Sequence, residues 1–105
     1  MAITSSQTNA VENGKRATGS HLDDAASPAA ISVTVGFTPR YVLCLNQTTR
    51  VQFEWFEGMT AAHALKTVAA GTRTAETSGG ITVSGGTITM PAPAQNDQIR
   101  WVAVQ

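Results

Sequence analysis

The chain has 105 residues, which is enough for one domain. Charged residues make up 13% of it, about half of the roughly 25% that is typical of soluble domains, and seven basic and seven acidic side chains give a net charge of zero. Nucleic acids and anionic membranes are bound by clustered Lys and Arg, so this balance argues against both as partners. Small uncharged side chains at the surface favour packing against another protein, because little entropy and little hydration are lost on contact. The alternative is a secreted β domain with a Thr-rich surface.

Residues 1–30 contain only three large aliphatic side chains, Ile3, Val11 and Leu22. Such a segment cannot bury enough apolar surface to offset the entropy of ordering it. We therefore predict an extended N-terminal arm over residues 1–30 that neighbouring chains hold in place, with a disordered tail as the alternative. Lys15 and Arg16 form the one basic pair of the chain, too small for an electrostatic footprint.

From residue 31 onward the pattern changes to that of β-strands, and we predict a body over 31–105. Residues 31–37 alternate apolar and small polar side chains, which is the period of a half-buried strand. Residues 40–46 are apolar on both faces, which predicts a central strand covered on both sides. Residues 51–55 again alternate apolar and polar side chains, which predicts a third strand with one solvent-exposed face.

The C-terminal half continues with short strands and turn signals. Residues 60–68 are compatible with one or two helical turns capped by Thr60, or with an irregular crossover. Ser84-Gly85-Gly86 predicts a hairpin between 80–83 and 86–90, and 99–104 predict a last strand. The pattern predicts an all-β fold, a small antiparallel sandwich or barrel of about six or seven short strands with the extended arm in front. A core this small favours oligomerisation as a supplement.

The cysteine and targeting signals point to the cytoplasm. Cys44 is the one cysteine, which rules out an internal disulfide, and its apolar neighbours predict a buried side chain rather than a nucleophile. The first residues lack the basic and apolar regions of a signal peptide, and no apolar stretch is long enough to span a membrane. We expect synthesis in a reducing cytoplasm.

The search for catalytic and metal motifs leads to a prediction of no enzyme, no catalytic residue, no metal and no cofactor. No nucleophile elbow, zinc motif or phosphate-binding loop is present. His21 beside Asp23 and Asp24 is a weak metal alternative. Glu54 and Glu57 resemble the carboxylate pair of a glycosidase. However, Glu54 is expected on the solvated face of a strand and Glu57 at the end of that strand.

The aromatic strands allow a second interpretation, in which Tyr41, Trp55 and Phe56 stack on sugar rings. Aromatic side chains at strand period are more often core residues. Arg40 is expected either to pair with Glu54 or Glu57 across neighbouring strands or to anchor a partner. The candidate partner-binding residues of the body are Arg40, Glu57 and His63.

Three segments carry a resemblance to a known class of proteins: Gly36-Phe-Thr-Pro-Arg-Tyr-Val followed by Asn46, Glu54-Trp-x-x-Gly-Met59, and Gly79-Gly-Ile-Thr-Val83. Together they resemble small virion proteins of tailed bacteriophages, over roughly residues 31–90. That class includes capsid decoration (cement) proteins and short fibre modules. The chain length and the Ala/Thr-rich arm look more like a decoration protein.

This resemblance implies a non-enzymatic protein that is made in the host bacterial cytoplasm and located on the capsid surface of the virion. It implies an arm on the shell of major capsid protein and a protruding β body, often as a trimer. We predict that the protein stabilises the shell through this arm and an oligomeric body. The alternative is a tail-fibre or receptor-binding module that contacts host glycans. The predicted contact residues of the arm are Ile3, Val11, Lys15, Arg16 and Leu22.

Overall fold

The computed structural model describes residues 3–9 and 15–105, and within these residues it is all β with no helix. The part of the chain that it describes therefore offers no helix able to cross a membrane. The nine strands are β1 (Ile3–Asn9), β2 (Arg16–Asp23), β3 (Ile31–Thr34), β4 (Tyr41–Asn46), β5 (Val51–Phe56), β6 (His63–Thr67), β7 (Arg73–Ser84), β8 (Thr87–Met90) and β9 (Gln98–Val104).

All neighbouring strands pair antiparallel in the order β1-β2-β9-β4-β5-β6-β7-β8-β3. The sheet curls into a half-barrel, so its inner face encloses the core. The structure confirms the predicted all-β class. The described residues form nine strands. Seven of them, β3 to β9, lie in the predicted body over 31–105, where about six or seven were predicted, and β1 and β2 lie in the predicted arm, where none was predicted.

The prediction of an extended N-terminal arm is not matched by the described residues. β1 and β2 form an antiparallel ladder from Ile3↔Asp23 to Asn9↔Ala17, and β2 pairs in turn with β9. Ala17 is fully buried and Asp23 is nearly so. The composition argument failed because backbone pairing orders this segment, and small side chains at a sheet edge need few aliphatic contacts of their own.

Alternation along the strands divides the sheet into a buried inner face and an outer face. On β4 the inner residues Val42 and Cys44 are buried, whereas Tyr41, Leu43 and Leu45 on the outer face are half-buried. The prediction that this strand is covered on both sides is therefore wrong for the described residues. The inner face is completed by core residues of the other strands and loops: Ala17, Ile31, Val35, Phe37, Trp55, Ile81, Ile88, Met90, Ile99, Trp101 and Ala103.

The second half of the chain contains one confirmed turn and one corrected element. Ser84 pairs with Thr87, and Gly85 has a φ of 58°, so the predicted hairpin is present, with a two-residue loop. Residues 63–67 form β6, where sequence reasoning expected helical turns or a crossover. Pairing with β5 on one side and β7 on the other overrides the weak local helix preference of this segment.

Gly19 on β2 leaves room for the side chain of Trp101 on the neighbouring strand β9. Trp101 pairs with Gly19 across the ladder, and a Cβ atom at Gly19 would lie 2.4 Å from the Trp101 ring and 2.3 Å from the Ser6 carbonyl oxygen. Both distances are far shorter than any van der Waals contact. Position 19 therefore requires glycine for the indole ring and the backbone of β1 to fit.

We expect Gly19→Ala to lower the free energy of unfolding by about 2–3 kcal/mol, because β1 or the Trp101 ring must move to admit the methyl group. Urea denaturation followed by tryptophan fluorescence measures this change. Gly86→Ala is the matched control, since its Cβ would meet its nearest atoms at 3.6 Å. Equal stability of the two variants would contradict the packing described here.

Candidate interaction surface

The outer face of strands β9, β4, β5 and β6 carries an apolar surface. The strand register places Val104, Tyr41 and Phe56 in one row across the sheet, with a second row beside it. Phe56 is 45% exposed and the others are half-buried. We call the two rows the outer patch; its residues are Tyr41, Leu43, Glu54, Phe56, Leu65, Val102 and Val104.

Glu54 places a carboxylate inside this apolar surface. Its side chain accepts a hydrogen bond of 2.9 Å from the Tyr41 hydroxyl and one of 3.3 Å from the Gln52 amide. Partial burial of the phenol, together with the hydrogen bond and the charge of Glu54, raises the pKa of Tyr41 to about 12. The Tyr41 ring also contacts the Phe56 ring, with 5.1 Å between centroids. Tyr41, Glu54 and Phe56 therefore form one connected cluster.

The structure places two of the three predicted partner-binding residues of the body, Arg40 and Glu57, at the border of this patch. Arg40 and Glu57 form an ion pair with 3.6 Å between Nε and Oε2, and both side chains are largely exposed. The end of the β4–β5 pair brings them together, because the Glu57 N–H donates to the Arg40 carbonyl oxygen. His63 is half-buried at the start of β6, where the pairing with β7 shifts register between His63 and Ala64. It stands opposite the buried Ile81, so strand alternation does not assign it to the outer face.

The predicted arm residues do not share one face. Ile3 pairs with Asp23 and is 50% exposed, whereas Leu22 pairs with Thr4 and Gln98 on the opposite, outer face. Val11 lies outside the described residues. A partner that covers the outer face therefore reaches Leu22 without reaching Ile3.

The basic pair Lys15 and Arg16 lies beside the outer patch. Arg16 is exposed and stands opposite Val104 in the register of β2 and β9. Lys15 precedes the strand and is half-buried, and its carbonyl oxygen accepts a hydrogen bond of 2.9 Å from the Gln105 N–H. Arg16 thus adds a positive charge at the border of the patch.

A small cavity of about 170 Å³ lies farther along the same strands, between β1, β2 and β9. Arg100 lines it and donates from Nε to the Gln47 side-chain oxygen at 3.0 Å. The sequence did not indicate this cavity, because it forms only where the β1–β2 pair lies against β9. Its lining residues are Thr4, Ser20, His21, Leu22, Gln98, Ile99 and Arg100.

The residues considered for nucleophilic or metal chemistry, Cys44 and the group around His21, lie in environments that do not favour those roles. Cys44 is buried, and burial raises the pKa of its thiol to about 12, so little thiolate forms at neutral pH. His21 and Asp23 lie near each other, and burial lowers the pKa of His21 against the opposing charge of Asp23. No group of three His, Cys, Asp or Glu side chains suited to a metal occurs in residues 3–9 and 15–105.

Of the three aromatic rings proposed to stack on sugars, Trp55 is not available at the surface. Trp55 is 7% exposed and belongs to the core, opposite Val42 on the inner face. Tyr41 and Phe56 are the two rings of that set that remain at the surface, and their planes are tilted by 57°.

Comparison with known proteins adds no relative to this description. No family model, no curated protein and no solved structure matches the chain. The surface geometry, together with the sequence resemblance given above, is therefore the basis for a functional proposal.

Tyr41 is the one tyrosine of the chain, so its ionisation can be followed alone by absorbance near 295 nm. We expect a midpoint near 12 rather than 10. Glu54→Gln is expected to lower the midpoint, but not to 10, because desolvation is the largest cause of the shift.

The same shift predicts how this phenol contributes to stability. Its folded pKa is raised above the ordinary value of 10, so the contribution is complete below pH 10 and is lost as the pH rises towards about 12. An unshifted Tyr41 midpoint of 10 in the folded protein would contradict the cluster.

Proposed function

We propose that this protein is a structural component of a phage virion, a non-enzymatic decoration protein that binds the shell of major capsid protein through the outer patch. The observation that carries the proposal is this apolar, charge-poor sheet face with two surface aromatic rings and an exposed ion pair at its border. Aromatic residues inside a polar rim are typical of protein interfaces. One buried cysteine fits assembly in a reducing bacterial cytoplasm.

The proposed contact differs from the contact through an extended N-terminal arm that the sequence predicted. Phe56 and Leu43 supply apolar area, and Arg16 and Leu22 extend the same face towards the N-terminal hairpin. Ile3 lies on the other face and takes no part in this contact. Repetition of weak contacts over a symmetric shell then raises the overall affinity.

Glu54 sets a condition on the partner. A carboxylate that a partner covers loses its water, and two neutral hydrogen bonds from Tyr41 and Gln52 only partly compensate. The capsid surface is therefore expected to present an Arg or Lys opposite Glu54. The border charges Arg40 and Glu57 stay exposed and contribute mainly to orientation.

A tail-fibre or receptor-binding module remains the second candidate function. The observation in its favour is the pair of surface rings, Tyr41 and Phe56, beside the polar side chains Glu54 and Gln52. Aromatic faces and carboxylate or amide groups are the chemistry that binds sugars. Copy number per virion separates the two candidates, since hundreds of copies indicate decoration and a few copies indicate a tail part.

For the capsid proposal, the sharpest variant is Leu43→Asp, which adds a second carboxylate beside Glu54 in the centre of the outer patch. We expect affinity for undecorated capsids to fall at least about tenfold, because an apolar contact is lost and a further charge is desolvated. Co-sedimentation of purified protein with capsids measures the affinity.

The matched control is Thr89→Asp, on strand β8 at the far side of the sheet. Circular dichroism melting verifies that both variants are folded. Unchanged capsid affinity in folded Leu43→Asp would overturn the assignment of the outer patch, whatever the effect of the control.

For the glycan candidate, we expect Phe56→Ala to abolish any signal on a glycan array, because it removes the most exposed ring of the patch. Phe56→Tyr is the conservative control and keeps a stacking surface. Glycan signals that persist in Phe56→Ala would exclude the outer patch as the sugar site.

A further inference from the structure

The N-terminal strand β1 is an edge of the sheet in the described chain. It pairs with β2 along all of its seven residues, and the strand order ends there. Half of its backbone N–H and C=O groups therefore point away from the sheet. Such a row of groups is a template for pairing with another strand.

The other edge, β3, is protected in ways that β1 is not. β3 has four residues, Pro28 precedes it, and Gly36 with a φ of 83° follows it closely. β1 has seven residues, Ile-Thr-Ser-Ser-Gln-Thr-Asn, with no charge and no proline. Charges, prolines and short length are the usual devices that keep edges from pairing. Of the two edges, β1 is the one suited to strand addition.

We propose that β1 pairs antiparallel with β1 of a second copy of this chain, which joins the two sheets across a two-fold axis. Pairing of all seven residues centres the axis on Ser6, so that Ser6 faces Ser6 and Ile3 faces Asn9 of the other copy. The strand is suited to itself because no like charges meet in this register. A two-fold contact of this kind is closed and leaves no new edge at the contact.

The proposal is independent of capsid binding. The edge runs along the side of the sheet, whereas the outer patch lies on its face, so a dimer presents two patches. A trimer, which the phage resemblance implies, needs a different contact, because one self-paired edge accommodates only two chains.

The oligomeric state provides the first test. Sedimentation velocity over a series of protein concentrations is expected to give a dimer at the upper end, and Ser5→Lys is expected to give a monomer, since like charges then flank the axis. Ser32→Lys, an exposed position on β3, is the matched control and is expected to remain dimeric. A monomeric or trimeric wild-type protein would overturn the proposal, as would equal loss of the dimer in both variants.

Cysteine cross-linking tests the register. Opposite residues of an antiparallel pair have Cα atoms about 4.5–5.5 Å apart, which suits a disulfide. Under oxidised glutathione, Ser6→Cys is expected to form a covalent dimer at least about tenfold faster than Ile3→Cys. In the proposed register the two copies of residue 3 are separated by about 20 Å along the strands.

The native thiol does not interfere, because Cys44 is buried with its pKa raised to about 12. The unsubstituted protein serves as the background measurement. Equal cross-linking rates for Ser6→Cys and Ile3→Cys would overturn the two-fold pairing even if a dimer forms.

Discussion

Strand β9 is the element on which the rest of the structure depends. It pairs with β2 on one side and β4 on the other, so six consecutive residues from Ile99 to Val104 have partners on both sides. Backbone groups inside a sheet must be paired, and this double ladder satisfies them while joining the N-terminal hairpin to the body. It also sets the alternation that directs Trp101 to the core and Val102 to the outer face.

The two binding surfaces that we propose rest on this arrangement, and the interactions that determine their fit differ. The outer patch is a sheet face, where side-chain area and one carboxylate determine the fit. The β1 edge is a row of backbone groups, where strand geometry determines the fit and side chains only permit or prevent it. Because the two surfaces are separate, self-association through the edge leaves the patch available to another partner.

Part of the candidate surface was predictable from local pattern. An ion pair of Arg40 with Glu54 or Glu57 was one of two expectations for Arg40, and the structure shows the pair with Glu57. The hydrogen bond between Tyr41 and Glu54 was not predicted, because it joins residues 13 apart and depends on the register of β4 with β5. A one-residue shift of that register would send Glu54 to the other face. The position of Trp55 depends on the same register. Its side chain lies in the core, so it cannot stack on a sugar at the surface.

The sequence by itself determined the all-β class, the hairpin at Gly85 and the polar-apolar alternation of the main strands, because a period of two and a turn residue are local properties. Only the tertiary structure decided that residues 16–23 pair with β9, that residues 63–67 form a strand, and that the outer face of β4 stays partly exposed. Those outcomes depend on which distant segment supplies the backbone partners. Such long-range pairing leaves no periodic signal in the segment itself.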